Sequence, residues 1–426
     1  MPTTDGSSLN RALRWSERYT KVDMVYMAES GFWINLGSIL VSLFSRALYI
    51  IFARTLSPET YGTYQYLLSA GALIGAFSLT GMNNAVTRAV AQGREGTLRS
   101  AVRAQLQWGV LPASISLMVA LYYLSAHNGL LDAGFALTAI FMPVNNALNT
   151  YSSYLIGKKD FKRLFLYNLS INIFFYGGLI LLALAGPGAL ALIAVNLVTQ
   201  LVGLYLAYRT TVKKFHLPDT DDIETLQYGK HLSFMGVIGS VAQYADNILA
   251  FHFLGPVSLA VYSFATAVPD RAVGLLKFIP TALFPKLAEH DLAGARAAVS
   301  FKRIIWMLVL ALIIAGVYAL FAPAFFTLLF PRYTAAIAFS QVYGLSTFVL
   351  LGAVFSSALT AQKQIKQLYV LNTAAPILQL TLQVLGIILW GLWGIVFGRM
   401  ISILFSVALS AGLLFLSQNS EKTISS

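Results

Sequence analysis

Residues 304–322 read IIWMLVLALIIAGVYALFA and contain no charged side chain. At a helical rise of about 1.5 Å per residue, this stretch is about 28 Å long, close to the hydrocarbon core of a bilayer, which is about 30 Å thick. Lys302 and Arg303 lie directly before it. The stretch is therefore predicted to cross a membrane as one helix.

Similar apolar stretches recur along the whole chain and predict an all-α polytopic membrane protein with about twelve transmembrane helices. The predicted spans are 31–53, 64–87, 104–125, 131–156, 164–185, 188–208, 232–254, 257–284, 304–322, 334–360, 368–390 and 393–416.

Basic residues alternate between the gaps that separate these spans. Four Lys or Arg residues precede the first span, and four lie in each of the gaps after the second, fourth, sixth and eighth spans. In the gaps after the odd-numbered spans, the only basic residues are Arg54 and Arg332. Because cytoplasmic loops are enriched in Lys and Arg, both termini are predicted to be cytoplasmic and the protein to lie in the inner (plasma) membrane.

The composition agrees with this topology. Hydrophobic residues make up 57% of the chain and charged residues 11%, which is too apolar for a soluble domain. The net charge of +12 is therefore assigned to loops at the membrane surface, and no nucleic-acid partner is predicted. The absence of Cys excludes disulfides and Cys-based metal sites. No cofactor and no metal site is predicted, and the acidic residues near 219–224 are interpreted as a solvated linker.

A short pattern occurs twice. Residues 56–64 read LSPETYGTY, and residues 254–262 read LGPVSLAVY. Both lie at predicted outward turns, six spans apart, so they predict two halves of parallel orientation, as in transporters that rock one bundle against another. The predicted organisation is a cytoplasmic segment 1–30, a six-helix bundle 31–208, a cytoplasmic linker 209–231, a second six-helix bundle 232–416 and a cytoplasmic tail 417–426.

Apart from Asp132 at the very start of the fourth span, six charged residues fall inside predicted spans, where charges usually face a bundle interior or a wet cavity. They are Arg46, Asp246, Asp270, Arg271, Lys277 and Arg399. The basic residues outnumber the acids, so we predict a cationic cavity that binds an anionic substrate through Arg46, Arg271, Arg399 and Lys277. Asp246 and Asp270 are candidates for coupling to a proton or cation. The alternative is a structural pair of Asp246 with Arg46 or Arg399.

Runs of amide side chains in the fourth, fifth and eleventh predicted spans are a second polar feature. They are Asn145, Asn146, Asn149, Asn168, Asn172, Gln379 and Gln383. Such side chains either hydrogen-bond sugar hydroxyls or join neighbouring helices, and joining helices is the commoner role.

Two stretches carry a family resemblance. They are 245–262 with 280–287, reading ADNIL, LGP, Tyr262 and PTALFPKL, and 53–62 with Gly81, reading AR, LSPE and YG. Both resemble oligosaccharide flippases of the Wzx type, in the multidrug/oligosaccharidyl-lipid/polysaccharide exporter (MOP) superfamily. The resemblance implies a MATE/MOP-like, V-shaped fold of two bundles. It also implies alternating access for a polyprenyl-(pyro)phosphate-linked oligosaccharide used in cell-surface polysaccharide biosynthesis.

The partners that follow from the resemblance are the anionic glycolipid, membrane lipids and an H⁺ or Na⁺ coupling ion. A polysaccharide polymerase and glycosyltransferases are expected as functional neighbours. Two alternatives stay open. One is an ion-coupled multidrug exporter of the same superfamily, and the other is a membrane glycan polymerase. A polymerase is an enzyme and normally needs a large outward loop, whereas the outward gaps here are short. We predict no enzymatic activity.

Overall fold

α-Helices make up nearly all of the structure, a computed structural model that describes residues 24–218, 222–276, 301–362 and 364–416. No β-strand occurs in these ranges. The helices are α1 Met24–Thr55, α2 Pro58–Gly75, α3 Met82–Ala91, α4 Thr97–Trp108, α5 Val110–Ser125, α6 Gly129–Leu148, α7 Thr150–Gly157, α8 Phe161–Leu184, α9 Ala189–Phe215, α10 Ile223–Leu276, α11 Phe301–Leu329, α12 Ala336–Tyr343, α13 Val349–Ala361 and α14 Ile365–Leu416; 3-10 turns lie at Pro331–Tyr333 and Gly344–Phe348.

Polar side chains start several of these helices. The side chain of Asn128 accepts a hydrogen bond from the Leu131 N–H at 3.2 Å, and Asp160 does the same for the Arg163 N–H at 3.2 Å. These caps satisfy N–H groups that have no partner in the first turn of a helix. The sequence between the predicted spans therefore sets where the helices begin.

Nine helical stretches in the described ranges are long and apolar enough to cross a membrane. Two of them, in α10 and α14, are 52 residues long, or about 78 Å, more than twice the thickness of a bilayer core. Gly255 breaks α10 with φ 83°, and Gly391 breaks α14 with φ 56°. Each long helix thus supplies two passes. The all-α membrane fold is confirmed, while the number of twelve spans stays a prediction.

Glycines allow the two halves of α14 to meet at their backbones. A Cβ atom at Gly386 or Gly394 would overlap the backbone of the other glycine. A Cβ atom at Gly398 would lie 2.9 Å from the carbonyl oxygen of Leu382. Small residues at a helix interface permit this close approach, which is typical of helices packed in membranes.

The contacts within the chain form two compact units. The first comprises Met1–Ile51 and Ile74–Gly236, and the second Phe52–Leu73 and Val237–Ser426. The predicted bundles, 31–208 and 232–416, stay a prediction, and one difference is clear: residues 52–73 group with the second unit. A Cβ atom at Gly62 would overlap the carbonyl of Pro256, and Tyr66 stacks on Phe251 with centroids 3.9 Å apart.

The first unit has a core of aliphatic side chains with two buried tyrosines. Tyr151 and Tyr154 of α7 are fully buried. α7 packs closely on α3, because a Cβ atom at Gly157 would lie 2.7 Å from the carbonyl oxygen of Thr87. The buried Gln105 of α4 donates to the carbonyl oxygen of Leu79 at 3.2 Å.

The second unit is held at its predicted outward end by aromatic rings. Phe264 stacks on Tyr333 with ring centroids 3.9 Å apart, and Tyr61 packs on Phe264 at 4.8 Å. All three side chains are almost completely buried. Aromatic pairs of this kind add attraction beyond their buried area.

The two basic residues of the predicted outward gaps have a structural role. Arg54, at the end of α1, donates to the carbonyl oxygen of Leu328 at 2.7 Å. Arg332, after α11, donates to the carbonyl oxygens of Thr55 at 3.1 Å and Leu56 at 3.0 Å. The last carbonyls of a helix lack partners within it, and a nearby cation also favours the negative end of the helix dipole. Each arginine therefore caps the other's helix.

Candidate functional site

A buried ion pair lies within the second unit, between the first half of α10 and the second half of α14. Nη1 of Arg399 donates to Oδ2 of Asp246 at 2.6 Å, and the hydroxyl of Tyr262 donates to the same oxygen at 2.7 Å. The backbone N–H of Asn247 donates to Oδ1 at 3.0 Å. Asp246 is only 5% exposed. Its charge is therefore compensated by a guanidinium and two further donors, as a buried carboxylate requires.

The break at Gly255 brings Asp246 and Tyr262 together. The two residues are 16 positions apart in the chain. In a straight helix this separation corresponds to about 24 Å, far beyond hydrogen-bond range. Because α10 turns at Gly255, the second half of the helix returns along the first and places the Tyr262 hydroxyl beside the carboxylate.

Asp270 forms a second acidic position in the same unit. It is exposed and accepts a hydrogen bond at 3.0 Å from the hydroxyl of Tyr343, which is 1% exposed. Arg399 lies within electrostatic range of Tyr343 and Asp270 as well as Asp246. The described residues thus contain two hydrogen-bonded pairs, Asp246 with Arg399 and Asp270 with Tyr343, that lie within electrostatic range of each other.

The three arginines predicted to line one cationic cavity have different surroundings in the structure. Arg399 is paired with Asp246 at 2.6 Å, so its charge is largely compensated. Arg271 is half-buried in the second unit. Arg46 belongs to the first unit, is exposed, and has no hydrogen bond or ion pair within the described ranges. Lys277 lies outside the described residues. No single unit holds all three arginines, and their joint role in phosphate binding stays a prediction.

Amide side chains surround a cavity of about 270 Å³ in the first unit. It is lined by Asn145, Asn146, Asn149, Asn168, Asn172 and Gln200, with Ile171, Phe175 and Leu204. The sequence indicated the five asparagines but not Gln200, whose Nε2 donates to Oδ1 of Asn196 one turn earlier in α9 at 3.0 Å. Gln379 and Gln383 belong to the second unit; Gln379 donates to the carbonyl oxygen of Ala242 at 3.0 Å and Gln383 is fully buried.

Ion pairs tie together the loops at the predicted cytoplasmic side of the first unit. Glu95 binds Lys158, and this hydrogen bond is the main cause of the lowered pKa of the Glu95 carboxyl. Burial alone would raise the pKa of Asp222, but hydrogen bonds from Thr225 and Thr97 and the charge of Arg94 lower it overall. The side chain of Asp222 also caps α10 through the Thr225 N–H at 3.0 Å. Asp222 therefore acts as a helix cap and ion-pair partner.

A family model described as "Polysaccharide biosynthesis protein" matches residues 27–290. The chain belongs to the polysaccharide biosynthesis protein family. The match covers both stretches that suggested the family. No curated protein matches the chain.

Solved structures similar to this family member are MATE transporters. An inward-facing multidrug resistance MATE transporter of the MOP superfamily is 14% identical with a TM-score of 0.66, covering 88% of this chain and 94% of its own. An outward-facing one is 16% identical with a TM-score of 0.55, covering 92% and 95%. A mutant of the Vibrio cholerae MATE transporter VcmN is 13% identical with a TM-score of 0.56, covering 92% and 95%.

These likenesses establish a MATE-type fold and a multi-pass membrane protein. At 13–16% identity they say nothing about the substrate. The family match thus gives membership of the polysaccharide biosynthesis protein family, and the solved structures give the MATE-type fold.

Proposed function

We propose that this protein is a flippase for a polyprenyl-(pyro)phosphate-linked oligosaccharide. It moves the glycolipid from the cytoplasmic to the outer leaflet of the inner membrane for cell-surface polysaccharide biosynthesis. Membership of the polysaccharide biosynthesis protein family supports the glycan substrate. The inward-facing and outward-facing structures of its relatives support alternating access as the mechanism.

The observation that carries the proposal is the exposed guanidinium of Arg46. Arg46 lies within the candidate span Gly31–Thr55, and no partner among the described residues compensates its charge. A charge facing lipid in the bilayer core is costly, so an arginine of this kind is expected to face a water-filled path. Guanidinium groups stay charged and bind phosphate oxygens bidentately. Arg46 therefore contacts the phosphates of the carrier, with Arg271 and Lys277 as further cations.

Asp270 is the proposed coupling residue, since a carboxylate can bind a proton or Na⁺. It is exposed, and Tyr343 is its hydrogen-bond donor. Asp246 is less suited to exchange an ion, because Arg399 and Tyr262 both bind its Oδ2. Transport under imposed proton or sodium gradients is expected to lose its gradient dependence in Asp270→Asn and to keep it in Asp246→Asn. Equal gradient dependence in the parent and both variants would exclude both carboxylates from coupling.

Export of glycan in cells that lack their own flippase tests the role of Arg46. Arg46→Ala is expected to lower export about tenfold at equal membrane levels, because a charge-assisted phosphate contact is lost. Arg46→Lys keeps the positive charge but not the bidentate geometry, so it is expected to retain part of the activity.

The matched control for this experiment is Arg209→Ala. Arg209 is also exposed but lies near the predicted cytoplasmic end of α9. Full export by Arg46→Ala would contradict the phosphate role.

An ion-coupled multidrug exporter is the second candidate. The likeness to multidrug MATE transporters favours it. The excess of basic over acidic residues within the predicted spans favours an anionic substrate instead.

A further inference from the structure

The amide-lined cavity of the first unit lies between α6, α8 and α9 and is built for an uncharged polar ligand. None of its lining residues carries a formal charge. Amide groups both donate and accept hydrogen bonds, as sugar hydroxyls do. The volume of about 270 Å³ corresponds to about nine water volumes of about 30 Å³ each, which is room for one sugar ring.

Asn145 carries an unused hydrogen-bond acceptor. The residue is 6% exposed, and its Nδ2 donates to the carbonyl oxygen of Leu197 at 3.2 Å. Its Oδ1 is buried and has no partner among the described groups. Buried acceptors are nearly always paired, so this oxygen is an unused acceptor in the wall beside the cavity.

The other amides are only partly used in joining helices. Asn168 accepts a hydrogen bond from the Tyr151 hydroxyl at 2.7 Å, while Asn172 donates to the Asn168 carbonyl one turn earlier in α8 at 2.7 Å. The side chains of Asn146 and Asn149 form no hydrogen bond with any residue that the structure describes. Helix joining therefore explains part of this cluster but leaves several donors and acceptors at the cavity wall.

A second, mostly apolar cavity of about 410 Å³ adjoins the first on the side of α1. Asn168 and Asn172 line both cavities. Trp33, Val41 and Phe165 supply apolar and aromatic surface to the second one. A polar space and an apolar space with a shared wall suit an amphipathic molecule, whose sugar and hydrocarbon parts need different surroundings.

We propose that the amide-lined cavity is a glycan subsite that binds one uncharged sugar of the transported glycolipid. This proposal rests on the flippase function proposed above. The subsite recognises the glycan, whereas Arg46 contacts the phosphates. Asn145, Asn172 and Gln200 are the residues that distinguish a carrier lipid with a sugar from the bare carrier lipid.

Binding to the full chain in lipid nanodiscs tests the subsite. The probes are undecaprenyl diphosphate alone and the same lipid bearing one glucose, galactose, mannose or N-acetylglucosamine. The parent is expected to bind at least one glycosylated lipid about tenfold more tightly than the bare lipid, a preference typical of a few good hydrogen bonds. The double variant Asn145→Leu with Asn172→Leu is expected to lose this preference and to keep its affinity for the bare lipid.

Two further variants make the result interpretable. Asn172→Leu alone removes a half-buried amide bonded only within its own helix, and it tests the subsite even if the double variant fails to fold. Asn35→Leu is the matched control, since Asn35 is an exposed amide that donates to Gly31 within α1 at 2.7 Å. It is expected to behave as the parent.

The outcomes separate the two proposals. A sugar preference that survives in the folded Asn172→Leu and double variants overturns the subsite, as does a parent that binds every lipid equally. A parent that binds neither the bare nor any glycosylated lipid overturns the flippase function itself, and the subsite with it.

Discussion

At the scale of single residues, the buried charges of Arg399 and Asp246 stabilise each other. Removing one partner of a buried ion pair leaves an uncompensated charge, at a cost of about 3–5 kcal/mol, whereas replacing both by apolar residues is often neutral. We expect Arg399→Met to lower the thermal midpoint of the detergent-solubilised protein more than Arg399→Met combined with Asp246→Leu. Thermal unfolding followed by fluorescence measures the midpoints of both variants.

Arg209→Ala is the control for this comparison and should leave the midpoint unchanged. A double variant that loses as much stability as Arg399→Met and Asp246→Leu, each measured alone, lose together would show that the pair is not coupled.

The sequence predicted which residues are charged within the spans but not how they pair. It left Arg46 and Arg399 as equal partners for Asp246, and the structure selects Arg399, 153 positions away. That choice depends on how the first half of α10 lies against the second half of α14, which are far apart in the chain. Hydropathy does not encode such contacts. Gln200 was missed for a similar reason, because only the packing of α6, α8 and α9 places it beside the asparagines.

At the scale of helices, the reciprocal caps of α1 and α11 account for the two exceptions to the charge alternation. Arg54 and Arg332 occur in predicted outward gaps, against the usual distribution of basic residues. Their hydrogen bonds to helix-terminal carbonyls give each a structural reason to be there. A basic residue that caps a helix end can therefore lie in an outward gap without contradicting the predicted topology.

Removing a cap should destabilise the second unit. We expect Arg54→Ala and Arg332→Ala each to cost about 1 kcal/mol, since carbonyls lose a charged donor at the negative end of a helix. Urea unfolding monitored by circular dichroism measures the change, with Arg209→Ala as control. Stability equal to that of the parent in both variants would show that these hydrogen bonds contribute nothing.

At the scale of the whole molecule, the polysaccharide biosynthesis family and the MATE-type fold support a transporter that carries a glycolipid. Hydropathy and the alternation of basic residues were enough to predict an all-α membrane protein, because both depend only on local composition. The grouping of residues 52–73 with the second unit was not predictable in this way. It follows from the contact of Gly62 with Pro256, which joins the two matched turns.

The most direct test of the central claim is glycolipid movement in proteoliposomes that contain the purified protein. Fluorescent undecaprenyl diphosphate-linked oligosaccharide is followed by its accessibility to an external quencher, and uptake of the cationic dye ethidium is measured in parallel. The glycolipid is expected to cross the membrane faster in these vesicles than in protein-free vesicles, and the dye is expected not to cross. Ethidium transport without any movement of the glycolipid would contradict the proposed flippase function.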